Sequence, residues 1–126
     1  MNPKQIEAVL GLPAPNRYEH FIKVVADRQL AWGLYSEGWA LAANSEGERV
    51  FPLWPEKEYV KIAAVGEWTG YESREIDMED LLGGLLPSLS ERGTILGIFP
   101  TPKDKGVLPE IASFENDLRN EVAKFD

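Results

Sequence analysis

Four tryptophans, Trp32, Trp39, Trp54 and Trp68, fall inside one stretch that also holds Tyr35, Phe51, Tyr59 and Tyr71, and most of them flank glycine or proline. Large rings favour half-buried pleated surface, while Gly and Pro punctuate the chain. This region is therefore expected to be the organising centre of the fold. Trp32-Gly33-Leu34-Tyr35, Trp39 to Ala43 and Arg49 to Trp54 are separated by Ser36-Glu37-Gly38 and Asn44-Ser45-Glu46-Gly47, two polar turns ending in glycine. The pattern predicts a three-stranded antiparallel meander. Pro52 cannot donate to a ladder, so the third strand is expected at an edge or irregular at that point.

Helical periods flank this centre. Asn2, Pro3 and Gln5 form an N-cap, first-turn proline and capping-box partner for a helix that Gly11 stops. Tyr18, Phe21, Ile22 and Val25 define a second helix from about Pro15 to between Asp27 and Gln29, and Pro55 opens a third running to Val65 with Tyr59, Ile62 and Ala63 inward. Tyr71 to Ile76 alternates and is mostly polar, as a strand with one wet face would be. Asp77 is an N-cap candidate for a helix carrying Met78, Leu81, Leu82, Leu85 and Leu86. Within it, Gly83 and Gly84 cost roughly 1 kcal/mol each relative to alanine, which predicts a close approach to their bare backbone. Thr94 to Phe99 is apolar on both faces, the pattern of a central strand. Pro100 to Gly106 is the clearest loop and the best candidate for mobility. Pro109 opens a last helix with Ile111, Phe114, Leu118, Val122 and Phe125 in register. The sum is a single α+β domain over residues 1–126, with helices on a largely antiparallel sheet of about five short strands.

Length supports one core, since 126 residues lie within the usual size of a single domain. The net charge of −8 argues against nucleic acid and anionic membranes as partners. The charge is uneven: residues 1–63 carry 7 basic and 8 acidic side chains, residues 64–126 carry 6 and 13. A partner with a basic face would be steered to the C-terminal half. The chain has no cysteine, which removes disulfides and thiolate metal sites and fits a reducing compartment, so a cytoplasmic location is expected. No apolar run is long enough for a signal peptide or a membrane span.

The residues select no reaction. His20 is the single histidine and lies off the apolar stripe of its helix, as a surface histidine would. No nucleophile elbow or phosphate loop occurs. Glu67, Glu72, Glu75, Asp77, Glu79 and Asp80 crowd together without EF-hand spacing, and first-turn carboxylates are explained by the helix dipole. Neither a metal site nor a cofactor is expected.

Trp32-Gly33-Leu34-Tyr35 through Gly38-Trp39-Ala40-Leu41, Pro52-Leu53-Trp54-Pro55 with Tyr59 and Ala63, Glu67-Trp68 with Gly70-Tyr71, and Phe99-Pro100 together resemble the bacterial DUF2750 family, a domain of unknown function. The resemblance runs from about Tyr18 to the last helix. It implies a small bacterial cytosolic domain and carries no activity, cofactor or catalytic residue.

Two functions remain open. One is a non-catalytic protein-binding module, regulatory or immunity-type, that binds another protein or itself as a homo-oligomer through exposed aromatics, with Trp39, Trp54, Trp68 and Tyr71 as candidate contacts. It predicts an open apolar patch with an acidic rim. The other is a small-molecule-binding or enzymatic domain with an aromatic-lined pocket and a polar group such as Arg74, Glu67 or His20. It predicts an enclosed cavity with a perturbed carboxylate.

Overall fold

The computed structural model describes residues 1–125. Helix α1 (Pro3–Leu10) starts with the expected capping box: the Gln5 N–H donates to Asn2 Oδ1 at 2.9 Å and the Asn2 N–H to Gln5 Oε1 at 3.3 Å. Helix α2 (Ala14–Arg28) buries Phe21, Ile22, Val25 and Ala26 and ends where Gln29 turns left-handed at φ 61°. Strands β1 (Leu30–Tyr35), β2 (Ala42–Ala43) and β3 (Arg49–Leu53) follow, then α3 (Lys57–Ala63), a 3-10 turn at Gly66–Trp68 and β4 (Glu72–Asp77). Asp77 caps α4 (Met78–Asp80) by accepting from the Asp80 N–H at 2.8 Å. A π-helical segment (Leu81–Leu85) continues into α5 (Leu86–Arg92), stopped by left-handed Gly93. Strand β5 (Ile95–Ile98) and helix α6 (Ile111–Ala123) complete an α+β domain whose strands form two sheets, mostly antiparallel.

The expected meander breaks in two. β1 pairs antiparallel with β4 along six residues, Leu30↔Asp77 to Tyr35↔Glu72, whereas β2 pairs with β3 over two. The longer register wins because each ladder residue adds backbone hydrogen bonds that a buried strand needs. The hairpin after β1 begins with the Tyr35↔Trp39 bridge and the Ala40 N–H donating to Leu34 O at 2.9 Å. Beyond Ala40 the chain leaves β1 and crosses to β3.

β3, not β5, is the central strand, in the order β2-β3-β5 with β3 parallel to β5. Pro52 is tolerated there by position. Trp54 exchanges both backbone hydrogen bonds with Trp32 at 2.9 Å, and Leu53 O accepts from Phe99 N–H on the opposite side. Alternation puts the Pro52 nitrogen on the Trp32 side, in the gap between the end of β2 and the Trp32–Trp54 bridge, so no ladder bond is lost. β5 ends the sheet, with its outer edge met by Val107, which exchanges hydrogen bonds with Ile98 at 2.8 and 3.2 Å.

Two further expectations change. Nothing lies within 4 Å of a Cβ built on Gly83 or Gly84. Their backbone serves winding, not packing. Pro87 follows, and a proline ring collides with the carbonyl four residues earlier, here that of Gly83. The chain widens instead, with the Leu86 N–H donating five residues back to Leu81 O. Phe125 lies past the end of α6 and is 59% exposed, so the inward register stops at Val122.

The core joins α2, α6 and the strands, with Phe21, Leu34, Leu53, Trp54, Leu96, Phe114 and Leu118 fully buried. Each such side chain contributes roughly 1.5–3 kcal/mol. Tyr18 clasps α2 to α6 by donating to Asp117 Oδ2 at 2.6 Å; burial, with this acceptor second, raises its hydroxyl pKa. No helix among the described residues is long and apolar enough to cross a membrane.

Candidate functional site

One charged side chain sits inside the core. Arg17 is 1% exposed, although it belongs to the same face of α2 as Phe21 and Ile22. Its guanidinium donates from Nε to Phe99 O at 3.2 Å, from Nη1 to Leu12 O at 2.6 Å, and from Nη2 to Asp104, which closes a salt bridge. A buried cation costs several kcal/mol unless paired and hydrogen-bonded, and here all three nitrogens have partners.

What Arg17 holds is the loop read as mobile. Asp104 Oδ1 also accepts from the Gly106 N–H at 2.8 Å, and Thr101 Oγ1 accepts from the Lys103 and Asp104 N–H groups at 3.2 Å. At the other end the Trp54 indole donates to Pro100 O at 2.9 Å. Phe99 enters the loop at φ 56°, a left-handed conformation rare for an aromatic residue. Gly106 leaves it at φ 76°, where a Cβ would stand 2.3 Å from Ile98 O. The loop is laced to the core at both ends.

Beneath it is a cleft of about 340 Å³ on one face of β2-β3-β5. Ala42, Val50, Pro52 and Gly97 form its floor, Trp68 and Leu108 its walls, and Lys103 and Lys105 stand at its mouth. No side chain rises from the floor at Gly97, where Val50 fills the space one would need, 2.7 Å from a Cβ there. Trp68 is half-buried and stands edge-on to Trp54, with ring centres 6.2 Å apart at 87°.

The opposite face carries an open groove of about 900 Å³ lined by Trp39, Leu41, Phe51 and Leu89, with Arg49, Arg92, Glu75 and Asp80 around it. Trp39 packs against Phe51 at 5.6 Å and Tyr35 at 5.2 Å, and its ring lies over Gly33, where a Cβ would be 2.9 Å from Cζ3. Side chains alternate along a strand, so Phe51 faces this groove while Val50 and Pro52 face the cleft.

Between the two faces runs the outer edge of β2, unpaired among the described residues. Asn44 N–H donates inward to Glu48 O at 3.0 Å, and Ala42 and Ala43 stand opposite Val50 and Arg49. Hydrogen-bonded pairs alternate in an antiparallel ladder, so Leu41 and Ala43 turn their N–H and C=O groups outward. Leu41 is also 39% exposed.

The candidate residues are thus dispersed. Trp39 lines the groove and Trp68 the cleft. Trp54 is 1% exposed and has no free face, its indole being spent on Pro100. Tyr71 is half-buried against the core after the Trp68 turn. The polar alternatives do not converge either. Arg74 stacks on the Tyr35 ring at 3.8 Å, and Glu67 is exposed on the 3-10 turn.

His20 is not the surface residue expected. Its Nε2 is buried without a hydrogen-bond partner, its ring is 6.3 Å from that of Phe99, and burial lowers its pKa. It borders a hollow with Arg28, Glu56, Glu58 and Tyr59. Burial raises the Glu56 pKa, with Arg28 at 3.7 Å acting against it, and burial followed by Glu56 and Glu58 pushes Tyr59 up to about 12. No hydrogen bond among the described residues reaches His20 Nε2, so the structure does not pair it with Glu56 or Tyr59.

Arg17 and the β2 edge were missed by sequence reasoning. Arg17 did leave a signal, a charge four residues before Phe21 on the apolar stripe. The edge left none, because it depends on which strand fails to pair. No group of three or more His, Cys, Asp or Glu side chains that could hold a metal occurs among the described residues.

No curated protein matches the chain. The family described as "Protein of unknown function (DUF2750)" matches residues 18–118, from α2 through all five strands into α6. With four-fifths of its length covered by that match, the chain belongs to the DUF2750 family.

Proposed function

We propose that the protein is a non-catalytic cytoplasmic binding module, regulatory or immunity-type, that takes an extended segment of a partner protein along the free edge of β2. The observation that carries this reading is the outer edge of β2, unpaired among the described residues, where strand alternation turns the N–H and C=O groups of Leu41 and Ala43 outward beside the Trp39 groove. An added strand gains main-chain hydrogen bonds from such an edge and specificity from side chains dropping into the neighbouring groove. Leu41 and Trp39 supply the apolar contact, and mixed charges at the groove set register. The excess of acid in the C-terminal half favours a basic partner.

The test uses a substitution that removes only what the partner would use. Ala43→Pro deletes an N–H that faces solvent, so the domain should keep its melting temperature within roughly 2 °C, as substitutions away from packed or hydrogen-bonded features do. Affinity capture from a bacterial lysate with mass spectrometry should return a stoichiometric protein on the natural chain and lose it on this variant and on Trp39→Ala. Retention of that protein at full yield by Ala43→Pro would sink the edge as the docking site. A released metabolite with no protein would sink the module.

A further inference from the structure

The cleft under the Pro100–Lys105 loop lies on the far face of the sheet from the Trp39 groove and plays no part in strand addition. We propose that it is a binding site for a small organic anion, a carboxylate on a flat apolar body of one or two rings.

Size and lining come first. A volume of about 340 Å³ falls at the small end of ligand pockets, which span about 300–1,000 Å³. The floor offers only methyl and methylene surface from Ala42, Val50 and Pro52 and the bare Gly97, set side by side by strand pairing (Ala42↔Val50, Pro52↔Gly97) with no side chain rising at Gly97. A flat ring seated there meets Trp68 on one side and Leu108 on the other, and Leu108 is otherwise exposed at 41%. An aromatic wall beside an apolar floor suits stacking of a planar ligand.

Shape persistence comes second. An unsupported loop would gain by collapsing onto the exposed Leu108 and the apolar strand surface beside it. This one is held off by Arg17 through Phe99 O and Asp104, and by Trp54 through Pro100 O. The left-handed Phe99 shows that the backbone tolerates an unfavourable conformation to keep that position. A site formed before the ligand arrives loses less free energy on binding than one that must be ordered.

Charge comes third. In a chain of net charge −8, the mouth carries Lys103 and Lys105, neither of which forms an ion pair with a described residue. The carboxylate between them, Asp104, is already committed to Arg17 and to the Gly106 N–H. Two ammonium groups at one end of an apolar cleft select a ligand with one anionic end.

The probe is 1-naphthoate, with 1-naphthalenemethanol as its neutral counterpart, measured by calorimetry and by amide chemical shifts on the full chain. Naphthoate should bind saturably in the sub-millimolar range, at least tenfold tighter than the alcohol, and shift the amides of Val50, Gly97 and Lys105. Lys103→Gln with Lys105→Gln should weaken naphthoate about tenfold and erase its advantage over the alcohol. Ala42→Leu should abolish binding of both by filling the floor. The lysine variant changes only exposed side chains, so it decides the matter even where Ala42→Leu fails to fold. Equal affinity for acid and alcohol, naphthoate binding unchanged in the lysine variant, or no saturable binding at millimolar naphthoate overturns the proposal.

Discussion

The two faces of β3 are built by opposite means. On the cleft side, position is fixed by polar bonds that cross the chain: Arg17 to Phe99 and Asp104, and Trp54 to Pro100. On the groove side it is fixed by steric fit, with the Trp39 ring laid on the bare Cα of Gly33 and against Phe51. Hydrogen bonds are directional, so the first device can hold a loop above empty space. Packing only holds what it touches, so the second leaves an open groove wherever contacts end.

Removing one bond on the polar side should have the largest effect. Asp104→Ala leaves the Arg17 cation buried with its two carbonyls and no counter-charge; with the Asp104 side chain 44% exposed, solvent screening brings the cost to about 3 kcal/mol, the low end for a buried pair, and it also frees the Gly106 N–H. Denaturant unfolding should show that loss. Amide shifts should move along residues 100–106 and stay still around Trp39, whereas equal movement on both faces would contradict the separation.

The steric side should break more gently. Gly33→Ala places a methyl 2.9 Å from the Trp39 ring, which must shift. Overpacking of this kind costs roughly 1–3 kcal/mol. Tryptophan fluorescence should report Trp39 moving while the Arg17 lattice keeps its shifts. A melting temperature unchanged by this substitution would show that Trp39 is not seated on Gly33.

The smallest effect tests whether the polar side is fully satisfied. His20, one turn beyond Arg17 on α2, has its Nε2 buried and unpartnered beside Phe99. His20→Leu should stabilise the fold by about 1 kcal/mol by removing that group. It should also change the pH profile. Burial depresses the folded-state imidazole pKa, so as pH falls past the unfolded value of about 6.5 the unfolded chain takes up a proton that the folded chain resists. Stability is then full above pH 6.5 and declines towards pH 5. Glu56 has the opposite sign in a lower window, since its raised pKa makes the folded chain hold a proton above about pH 4.5, and that contribution fades as pH rises. Unfolding of the His20→Leu variant between pH 7 and 5.5 should be flatter than that of the natural chain. Parallel slopes would show that His20 titrates as it does in the unfolded chain.

Local chemistry was legible in the sequence and pairing was not. The Asn2–Gln5 box and the Asp77 cap each depend on neighbours within a few residues, and each stands as expected. Strand partners depend on competition between distant segments. β1 chose β4 over the adjacent β2, and Pro52 became compatible with a central strand only because β2 ends early. The site follows the same division. Trp39 and Trp68 could be named as candidate contacts, but that they lie on opposite faces, and that Trp54 is buried with its indole spent on Pro100, follows from the pairing. Two of the three partners of Arg17 lie 82 and 87 residues away, so its charge on an apolar stripe could be noticed while its purpose could not.

The widened turn at Leu81–Leu85 also bears on how the groove can vary. Leu81 and Leu86 are both fully buried, five residues apart. On a regular α-helix, at 3.6 residues per turn, such a spacing sets two side chains about 140° apart. The extra residue is therefore what lets both halves face one core. Gaining or losing a single residue there would rotate α5 by about 100° relative to α4, re-aiming Ser88 and Arg92 at the groove while the Asp77 cap and the Gly93 stop stay as they are. A one-residue length change inside this helix would therefore also turn the buried Leu86 and Leu89 away from the core, which ties the groove's lining to the core's packing.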